Sequence, residues 1–594
     1  MRLLWKIDDD NSGFISVKEL DVALKTVGLN LPGYQIRELV AKYDSGAKDG
    51  KLDMKEFEQL YIQEKYARDM GTHYKKNVTT RTGLNTLGGT SYASSEGTTH
   101  SVKQGEQIAF AEWINRHLKD DPDCKNLLPL GEDGVDLYKK VGDGILLCKL
   151  INHSVPDTID ERTINKTNLS VYRKHENLTL AVNSAGAIGC SVVNIGPEDL
   201  AEGKPHLVLG LLWQIIRIGL LSDINLAHHP GLVNLLQEGE TIEDLIKLSP
   251  EQILLRWDSE AYTYLLHQIA PAGSGVDLTP LQVGDKTQRA EAMLVEADKI
   301  GCRSFVGPHD VVSGNQKLNL AFVANLFNTY PALDKPAVDV EYEPVEESRE
   351  EKTYRNWMNS LGVTPYVHYL YNDLCDGLVI FQLYDHIEKG MVDWSRVKRK
   401  FDKMKVNFQK VENCNYAVEL GPQVKVVKVK LVGIAGKDIF DGNSVLTLGL
   451  VWQLMRAYTL AILRKLTGSD KPIQDVQIIE WANSKLKGGD KISGFNDPAL
   501  NDGVIIIKVI DAIKPGIVNW ENVNMEAKDY DERLANARYA IGLARKIGAG
   551  VYALPEDIVE VKNKMLLTVF ACLMTRDFSG RNLTQGLVGD ENSH

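Results

Sequence analysis

Long helices dominate the alternation of apolar and polar positions along this chain, and one of them is apolar on almost every face. Residues 206–220 (HLVLGLLWQIIRIGL) place Leu, Ile and Trp at helical spacing all the way round, which is typical of a buried central helix. The same pattern returns at 445–460 (VLTLGLVWQLMRAYTL), and weaker copies stand at 317–327 and 564–574. Four similar buried helices at wide intervals predict four copies of one domain.

The same series of elements precedes each of these helices. A turn containing Asp comes directly before it, at 197–200, 309–312, 437–439 and 555–558. An amphipathic helix lies before that turn, at 176–190, 288–302, 411–420 and 534–549. An Asp-Gly pair opens an apolar run at 143–152, 376–385 and 502–511, where the second copy reads DSEAYTYLLHQI at 258–269. Each copy should begin with a helix that carries one Trp: Trp113, Trp257, Trp357 and Trp481.

Near the N-terminus, residues 8–19 (DDDNSGFISVKE) fit a calcium-binding EF-hand loop. Hard oxygen ligands at this spacing wrap one Ca2+ ion, and the sixth position needs the sharp turn that Gly13 allows. The predicted ligands are the side chains of Asp8, Asp10 and Ser12, the carbonyl of Phe14 and the bidentate carboxylate of Glu19. Seven residues precede the loop, so we expect an incoming helix of at most about two turns, which leaves the calcium affinity open.

A second loop, at 45–56, is degenerate. With Gly50 at position 6 and Glu56 at position 12, position 3 is Ala47, which offers no side-chain oxygen. Asp44 stands one residue too early for position 1. We interpret this hand as a structural partner with weak or absent calcium binding. A 13-residue loop that starts at Asp44 is the alternative.

The order of helices, with its Trp, Asp-Gly and Asp-Leu landmarks, resembles the calponin-homology domain. Four copies behind an EF-hand region resemble the fimbrin or plastin family, and the resemblance covers nearly the whole chain. It implies an all-α fold in which an EF-hand pair is followed by four calponin-homology helical domains, arranged as two tandem pairs. We call the first two copies the front pair and the last two the rear pair.

Composition and these landmarks together divide the chain into segments. Stretches rich in Ser, Thr and Gly read as linkers, and an acidic stretch with two prolines reads as a connector. The predicted segments are an EF-hand pair (1–66), a flexible linker (67–105), the first repeat (106–221), the second repeat (245–332), an acidic connector (333–351), the third repeat (352–463), the fourth repeat (473–578) and a loose polar tail (579–594).

Composition also excludes several classes of function. The formal net charge of −12 gives a nucleic-acid partner no support. Seven cysteines without a CxxC pair exclude a disulfide scaffold and a thiolate zinc site. The sequence contains no run of about 18 apolar residues, so it predicts no membrane span. No HExxH, GxSxG or GxGxxG motif is present, so we expect a soluble cytoplasmic protein that is not an enzyme.

The family resemblance implies a calcium-regulated protein that binds and cross-links actin filaments. Each tandem pair would dock on a separate filament, and the acidic connector would hold the two filaments close, so that the second contact forms at high effective concentration. The implied cofactor is Ca2+ and the implied partner is filamentous actin, for a monomer in the cytoplasmic actin cytoskeleton. The alternative is a calcium-responsive adaptor that binds a single filament without bundling because the second repeat is incomplete.

The resemblance also places an actin-binding face on the first and last helices of the first repeat. The candidate residues on the first helix are Gln107, Phe110, Glu112, Asn115, Arg116 and Lys119. The candidate residues on the last helix are Leu207, Gln214 and Arg217. Core packing is the competing interpretation, and it is stronger for the last helix, which is apolar all round.

The second repeat is truncated. Trp113 and Trp213 are 100 positions apart, whereas Trp257 and its counterpart Ala324 are only 67 apart. The shortfall falls directly after Trp257, so this copy should lack most of its first helix and the loop that follows. Because such a helix buries several large apolar side chains, we expect this repeat not to fold alone and the front pair to bind filaments more weakly than the rear pair.

One strongly basic stretch lies in the third repeat, at 396–405 (RVKRKFDKMK). Its charge would suit an acidic filament or an anionic lipid surface. A solvated loop is the competing interpretation, and the residues alone do not choose between them.

Overall fold

The structure, a computed structural model, describes parts of two units, residues 1–86 and 87–594. In the second unit it describes residues 104–236, 239–257, 262–333, 347–425, 429–469 and 471–589. In the first unit it describes Phe14, Ser16, Val17, Glu19, Leu20, Val40, Asp44, Lys51, Leu52 and Glu56. The predicted linker up to residue 103 and the connector over 334–346 lie outside the described residues. The regular elements in the described part of the chain are helices, with one β-bridge residue at Leu52. They confirm the all-α prediction.

The first repeat is built around its last helix. Its helices are α1 (Gln104–Leu118), α2 (Leu137–Lys140), α3 (Ile145–Ser154), α4 (Val171–Ala187), α5 (Pro197–Ala201) and α6 (Pro205–Leu221). Buried residues lie all round α6, and Ile215 and Ile216 are fully enclosed. Helices α1 and α3 pack against it, and Trp213 of α6 lies beside Phe110 of α1, with ring centroids 6.2 Å apart. The prediction of a buried central helix is confirmed.

The second repeat follows the same order with shorter helices. Its helices are α7 (Ile242–Ile246), α8 (Pro250–Trp257), α9 (Tyr262–Ile269), α10 (Lys286–Lys299), α11 (Pro308–Ser313) and α12 (Gln316–Thr329). Helix α12 again carries buried residues along its length and packs against α6. The central helices of the front pair therefore contact each other.

The rear pair repeats the pattern twice. The third repeat consists of α13 (Arg349–Ser360), α14 (Leu370–Asp373), α15 (Leu378–Ile387), α16 (Val406–Leu420), α17 (Gly436–Phe440) and α18 (Ser444–Thr467). The fourth consists of α19 (Asp475–Lys485), α20 (Val504–Ile513), α21 (Tyr530–Ile547), α22 (Pro555–Val559) and α23 (Asn563–Gly589). Short 310-helices join these elements at Pro122–Cys124, Val141–Asp143, Glu161–Thr163, Pro230–Leu235, Thr279–Gln282, Gly421–Gln423, Pro498–Leu500 and Trp520–Asn522. Helices α18 and α23 contact each other and join the two repeats.

The Asp-Gly pairs start a helix in the same way in three repeats. Gly144 has a φ of 80°, and a Cβ there would come within 2.8 Å of the backbone of α4, so the position requires glycine. The side chain of Asp143 accepts a hydrogen bond from Ile145 N at 2.9 Å, which caps the start of α3. Asp376 and Asp502 do the same for α15 and α20, at 2.9 Å each.

More of the first helix of the second repeat is present than the residue count predicts. Helix α8 keeps eight residues up to Trp257, whereas α1, α13 and α19 continue three to five residues beyond their Trp. Ile253 and Leu254 are buried, and α8 packs against α12. The prediction that most of this helix is missing is wrong, because the apolar residues that anchor it precede Trp257. The deletion removes roughly one last turn and the loop after it.

We expect an insertion of about 23 residues after Trp257, taken from a complete family member, to raise the melting temperature of the second repeat by roughly 5–10 °C. The insertion restores the last helical turn and its loop, and each large apolar side chain that becomes buried contributes roughly 1.5–3 kcal/mol. Scanning calorimetry of the full chain measures the shift. A Gly/Ser insertion of equal length is the control and should give no gain. An unchanged melting profile with the native-like insertion would contradict the prediction.

The rear pair lies directly against the front pair. Helix α4 of the first repeat packs along α21 of the fourth, and Gly542 permits the close approach, since a Cβ there would lie 2.7 Å from Thr163. The guanidinium of Arg162 donates to the backbone carbonyls of Asn522 and Ala535, at 3.0 and 2.7 Å. Direct helix contacts, and not the connector alone, therefore set the distance between the pairs in this conformation.

Helix α18 has the length and composition of a membrane-spanning helix, alone among the helices that the structure describes. It includes Gln453 and Arg456, so the expectation that the sequence has no uninterrupted run of about 18 apolar residues still holds. Half of its apolar window is buried, and it packs against α13, α15 and α23 as the central helix of the third repeat. Burial among these helices accounts for its apolar composition.

Helix α23 extends beyond the predicted end of the fourth repeat at residue 578. It runs to Gly589, so most of the segment predicted as a loose tail is helical. Extending an existing helix adds one hydrogen bond per residue without a new nucleation cost, which allows a polar sequence to continue it.

Candidate functional sites

The described residues of the first unit keep the register predicted for the first calcium loop. Ser16 caps the helix that leaves the loop: Val17 is helical, and the Ser16 carbonyl accepts a hydrogen bond from Leu20 N at 2.9 Å. Glu19 Oε2 accepts hydrogen bonds from Ser16 N and Ser16 Oγ, at 2.8 and 2.7 Å. Loop positions 9 and 12 therefore lie in the first turn of the exiting helix, where an EF-hand places them.

The remaining predicted ligands are placed only in part. Phe14 lies in a bend and is 41% exposed. The ligands at positions 1, 3 and 5 lie outside the described residues: Asp8, Asp10 and Ser12. The donor atoms that are placed are hard oxygens, and the carboxylate of Glu19 supplies the charge that Ca2+ favours. This donor set fits calcium.

The second loop is bracketed by two enclosed carboxylates. Asp44 follows a helix, with its N–H donating to the Val40 carbonyl at 2.8 Å, and is 8% exposed. Leu52, at loop position 8, forms the β-bridge and is fully buried. Glu56, at position 12, is helical and 8% exposed. A carboxylate at each end is compatible with a structural hand that binds calcium weakly or not at all, and also with a 13-residue calcium loop that starts at Asp44. Both interpretations of the second loop remain predictions.

Three of the nine filament-face candidates are exposed: Glu112 and Arg116 on α1, and Lys119 directly after its end. Beside them lies a cleft of about 500 Å³, lined by Glu112, Asn115, Arg116 and Arg303. Because Arg303 belongs to the second repeat, the cleft lies between the two repeats of the front pair. The exposed face thus carries both signs of charge and continues into a groove.

Two other candidates on α1 are enclosed. Phe110 is fully buried in the core. Gln107 is 8% exposed; its Nε2 donates to the Asp133 carbonyl at 2.5 Å, and its Oε1 accepts from the Tyr138 hydroxyl at 2.7 Å. Both side chains face their own repeat in this conformation, which favours the competing interpretation of core packing for these two candidates. Their contact with a filament stays a prediction.

Asn115 and Gln214 are occupied in holding loops of the first repeat. The Asn115 side chain pairs with the backbone N and O of Leu130, at 2.7 and 2.9 Å. Gln214 pairs in the same way with Ser191, at 2.6 and 3.1 Å. Leu207 is half-buried on α6. These side chains have structural contacts that compete with a role in recognition.

Arg217 joins three repeats. Its guanidinium forms an ion pair with Glu251 of α8 and lies 4.8 Å from the centre of the Tyr366 ring. The other carboxylate oxygen of Glu251 lies 3.6 Å from Nε2 of His368, and burial lowers the pKa of His368. The charge of Arg217 is therefore used inside the protein, where it also braces the shortened second repeat. Its predicted role in filament contact stays a prediction.

A stack of aromatic rings lies at the C-terminal end of α1. The rings of Trp113 and His117 are 4.3 Å apart, and those of His117 and His153 are 4.9 Å apart. Desolvation lowers the pKa of both histidines, which favours their neutral forms. The positive charge at this end of α1 therefore comes from Arg116 and Lys119.

A buried asparagine that the sequence pattern did not single out recurs in three repeats. Asn177, Asn413 and Asn536 are each at most 2% exposed. Each Nδ2 donates to the carbonyl of the Asp-Gly aspartate at 3.0 Å and to a second carbonyl at 2.8–2.9 Å. Each Oδ1 accepts a backbone N–H at 2.8–3.0 Å. A signal was present, since an Asn follows each of these aspartates by 34–37 residues; the second repeat has Arg289 instead.

The contact between front and rear pairs encloses two cations that the sequence did not single out. Arg545 is 4% exposed, donates to the carbonyls of Thr158 and Val551 at 3.0 Å each, and has its pKa lowered by burial to about 10. Lys546 is 7% exposed and donates to Asn165 Oδ1 at 2.9 Å, and burial lowers its pKa as well. Each desolvated cation thus has a hydrogen-bond partner across the contact between the pairs, which a buried charge requires.

Comparison with known proteins matches this architecture. Four stretches match the calponin homology (CH) domain, at 104–220, 256–332, 348–460 and 472–578, and residues 1–62 match an EF-hand domain pair. The second CH match is the shortest of the four.

Relatives with the same architecture cover almost the full length. The chain is 52% identical to plastin-1 of Homo sapiens over 605 residues, which cover 96% of this chain and 95% of plastin-1. It is 50% identical to plastin-3 of Homo sapiens over 608 residues, covering 96% of each. Among solved structures it is similar to the actin-crosslinking core of Schizosaccharomyces pombe fimbrin, with a TM-score of 0.66 and 39% identity over 80% of this chain and 100% of that one. The chain therefore belongs to the plastin and fimbrin family.

Proposed function

We propose that this chain binds actin filaments and cross-links them into bundles under calcium control. The observation that carries the proposal is the match of its four CH domains to the whole of the actin-crosslinking core of fimbrin. Two CH pairs in one chain supply two filament-binding units, and the second contact gains from being intramolecular. The chain would act as a monomeric, non-enzymatic component of the cytoplasmic actin cytoskeleton.

The front pair and the rear pair expose their first helices differently. Glu112 and Arg116 are exposed on α1, whereas Asn356 and Ser360 occupy the corresponding positions of α13, counted from the Trp, and are buried. Asn356 Nδ2 donates to the Ala187 carbonyl of the first repeat at 2.9 Å. The front pair thus covers this part of the rear pair, which could use it for a filament only after the pairs move apart.

We expect residues 347–578 alone to bind filaments at least as tightly as the full chain. Removing the front pair uncovers α13, and two complete repeats supply two cores of ordinary domain size. High-speed sedimentation with actin filaments measures the dissociation constant. The front pair, 104–333, is the matched comparison, and it should bind more weakly because its second repeat is shortened. A folded rear pair that stays in the supernatant would contradict the prediction.

The EF-hand pair would act as the regulator. Calcium converts a closed EF-hand helix pair into an open one that can capture a helix. The residues that would hold the ion are Asp8, Asp10, Ser12, Phe14 through its carbonyl, and Glu19. Glu19 is the ligand whose place at the start of the exiting helix supports this assignment most directly.

Sedimentation at two speeds tests cross-linking. A cross-linker brings filaments down at low speed, whereas an adaptor that binds a single filament appears with them only in the high-speed pellet. We expect the full chain in the low-speed pellet, in an amount that changes between added calcium and a chelator. A full chain that pellets with filaments only at high speed in both conditions would refute bundling. The alternative, an adaptor that binds a single filament, would then explain the result.

A further inference from the structure

A basic loop joins α15 to α16 in the third repeat, and we call residues 398–408, which run into the first turn of α16, the basic tip. Asn413 fixes the start of the tip: its Oδ1 accepts a hydrogen bond from Lys398 N, and its Nδ2 donates to the Lys398 carbonyl, at 2.9 Å each. At its far end, Met404 N donates to the Asp402 side chain at 2.8 Å, and Asp402 N donates to Gln409 Oε1 at 2.8 Å. These bonds hold the tip in one shape.

Two large apolar side chains stand out from the tip. Met404 is 94% exposed and Phe408 is 67% exposed, and they are four positions apart at the start of α16. Phe401 behaves differently: it is half-buried, with Lys410 Nζ 5.8 Å from its ring centre. Two neighbouring apolar side chains without cover, in a loop held by hydrogen bonds, indicate a contact surface.

The same tip concentrates positive charge. It contains one acid, Asp402, and five cations: Lys398, Arg399, Lys400, Lys403 and Lys405. Arg399 packs over the Trp394 ring at 4.6 Å. Within the described part of the chain, no carboxylate forms an ion pair with any of the four tip lysines, although neighbouring Arg396 pairs with Glu419 at 3.0 Å. This local charge contrasts with the net charge of −12 of the whole chain.

We propose that the basic tip docks on an anionic lipid surface, with its lysines at the headgroup phosphates and with Met404 and Phe408 in the interfacial layer. Anionic membranes attract clustered lysines over about a Debye length, and exposed apolar side chains add affinity by leaving water. The role is additional to filament cross-linking, because the tip shares no residue with the exposed face on α1.

The shape of the tip favours lipid over a filament. An acidic filament would satisfy the lysines, but it would leave Met404 and Phe408 in water unless it offered a pocket for each. A headgroup layer needs no such pocket, since it yields to a projecting surface and supplies phosphate and apolar depth together. A headgroup layer therefore uses both the charge and the apolar exposure of the tip without a matching pocket.

Flotation of the full chain with lipid vesicles, without actin, tests the proposal. We expect binding to phosphatidylcholine vesicles that contain about 30% phosphatidylserine, a steep fall in binding with added salt, and little binding to phosphatidylcholine alone. The combined variant Lys400→Glu, Lys403→Glu and Lys405→Glu should lower the partition coefficient at least about tenfold. The pair Met404→Ser and Phe408→Ser should lower it about threefold while keeping the salt dependence.

A matched control reverses three exposed lysines of the fourth repeat: Lys487→Glu, Lys491→Glu and Lys528→Glu. It changes the net charge equally and should bind vesicles like the unaltered chain. Equal losses in both triple variants would overturn the proposal, because overall charge would then explain the binding. Unchanged vesicle binding by the tip variant would overturn it too, and a loss of filament binding in that variant would assign the tip to the filament.

Discussion

Glu19→Gln should remove calcium binding from the first unit, with a loss of affinity of at least about a hundredfold. The carboxylate stands at loop position 12, where it supplies two oxygens and a full charge to the ion. Its Oε2 now accepts two hydrogen bonds from Ser16, and an amide oxygen can accept the same bonds. The substitution therefore removes the ligand charge without removing the cap of the exiting helix. Isothermal titration of the calcium-free chain measures the change.

Glu56→Gln is the matched control, because it makes the same chemical change at position 12 of the degenerate loop. If the second hand is structural, this variant should keep the tight site and leave the stoichiometry at one. Two equal sites in the unaltered chain, or a tight site that survives Glu19→Gln, would contradict the assignment. Loss of binding in the Glu56 variant alone would favour the loop that starts at Asp44.

Asn536→Ala should destabilise the fourth repeat by about 2–4 kcal/mol. The Asn536 side chain is 1% exposed and bonds the Asp502 carbonyl and both backbone groups of Asn524, at 2.8–3.0 Å. Alanine would leave a buried N–H and two carbonyls unpaired, and each such group carries a desolvation penalty. We expect the melting transition of this repeat to fall by at least about 10 °C in scanning calorimetry of the full chain.

Arg289→Ala provides the comparison, because Arg289 occupies the corresponding place in the second repeat. Its side chain is exposed and bonds the Val283 carbonyl at 2.8 Å, so its loss should lower the melting temperature by only about a degree or two. A similar small shift for Asn536→Ala would show that water replaces the asparagine, and that the shared hydrogen bonds do not stabilise the repeat.

The helical order of the four repeats was predictable because its signals are local. Apolar spacing marks the buried helices, and the glycine of each Asp-Gly pair marks a positive φ that other residues resist. The register of the first calcium loop was predictable for the same reason, since an EF-hand takes its ligands from twelve consecutive positions. The buried asparagines were missed because a lone Asn on an amphipathic helix looks like a surface residue until its partners are known.

The exposure of the filament-face candidates was predicted less well. Helical spacing indicates which residues share a side of α1, but it does not indicate which side faces the core. Phe110 and Gln107 were therefore grouped with Glu112 and Arg116, although the fold encloses the first two and exposes the others. For Arg217 the missing information was a partner in another repeat, Glu251.

The sequence by itself determined the number and order of the repeats, the family, the calcium-loop register and the position of the truncation. Only the tertiary structure decided how the repeats pack: that α13 is covered by the first repeat, that Arg545 and Lys546 are enclosed between the pairs, and that the basic tip is left uncovered. The physical reason is the separation along the sequence between the residues that interact. Helix formation and loop geometry depend on neighbours within a few turns, whereas the contact of α4 with α21 joins residues more than 300 positions apart, such as Asn183 and Arg545, and depends on the shape of both surfaces.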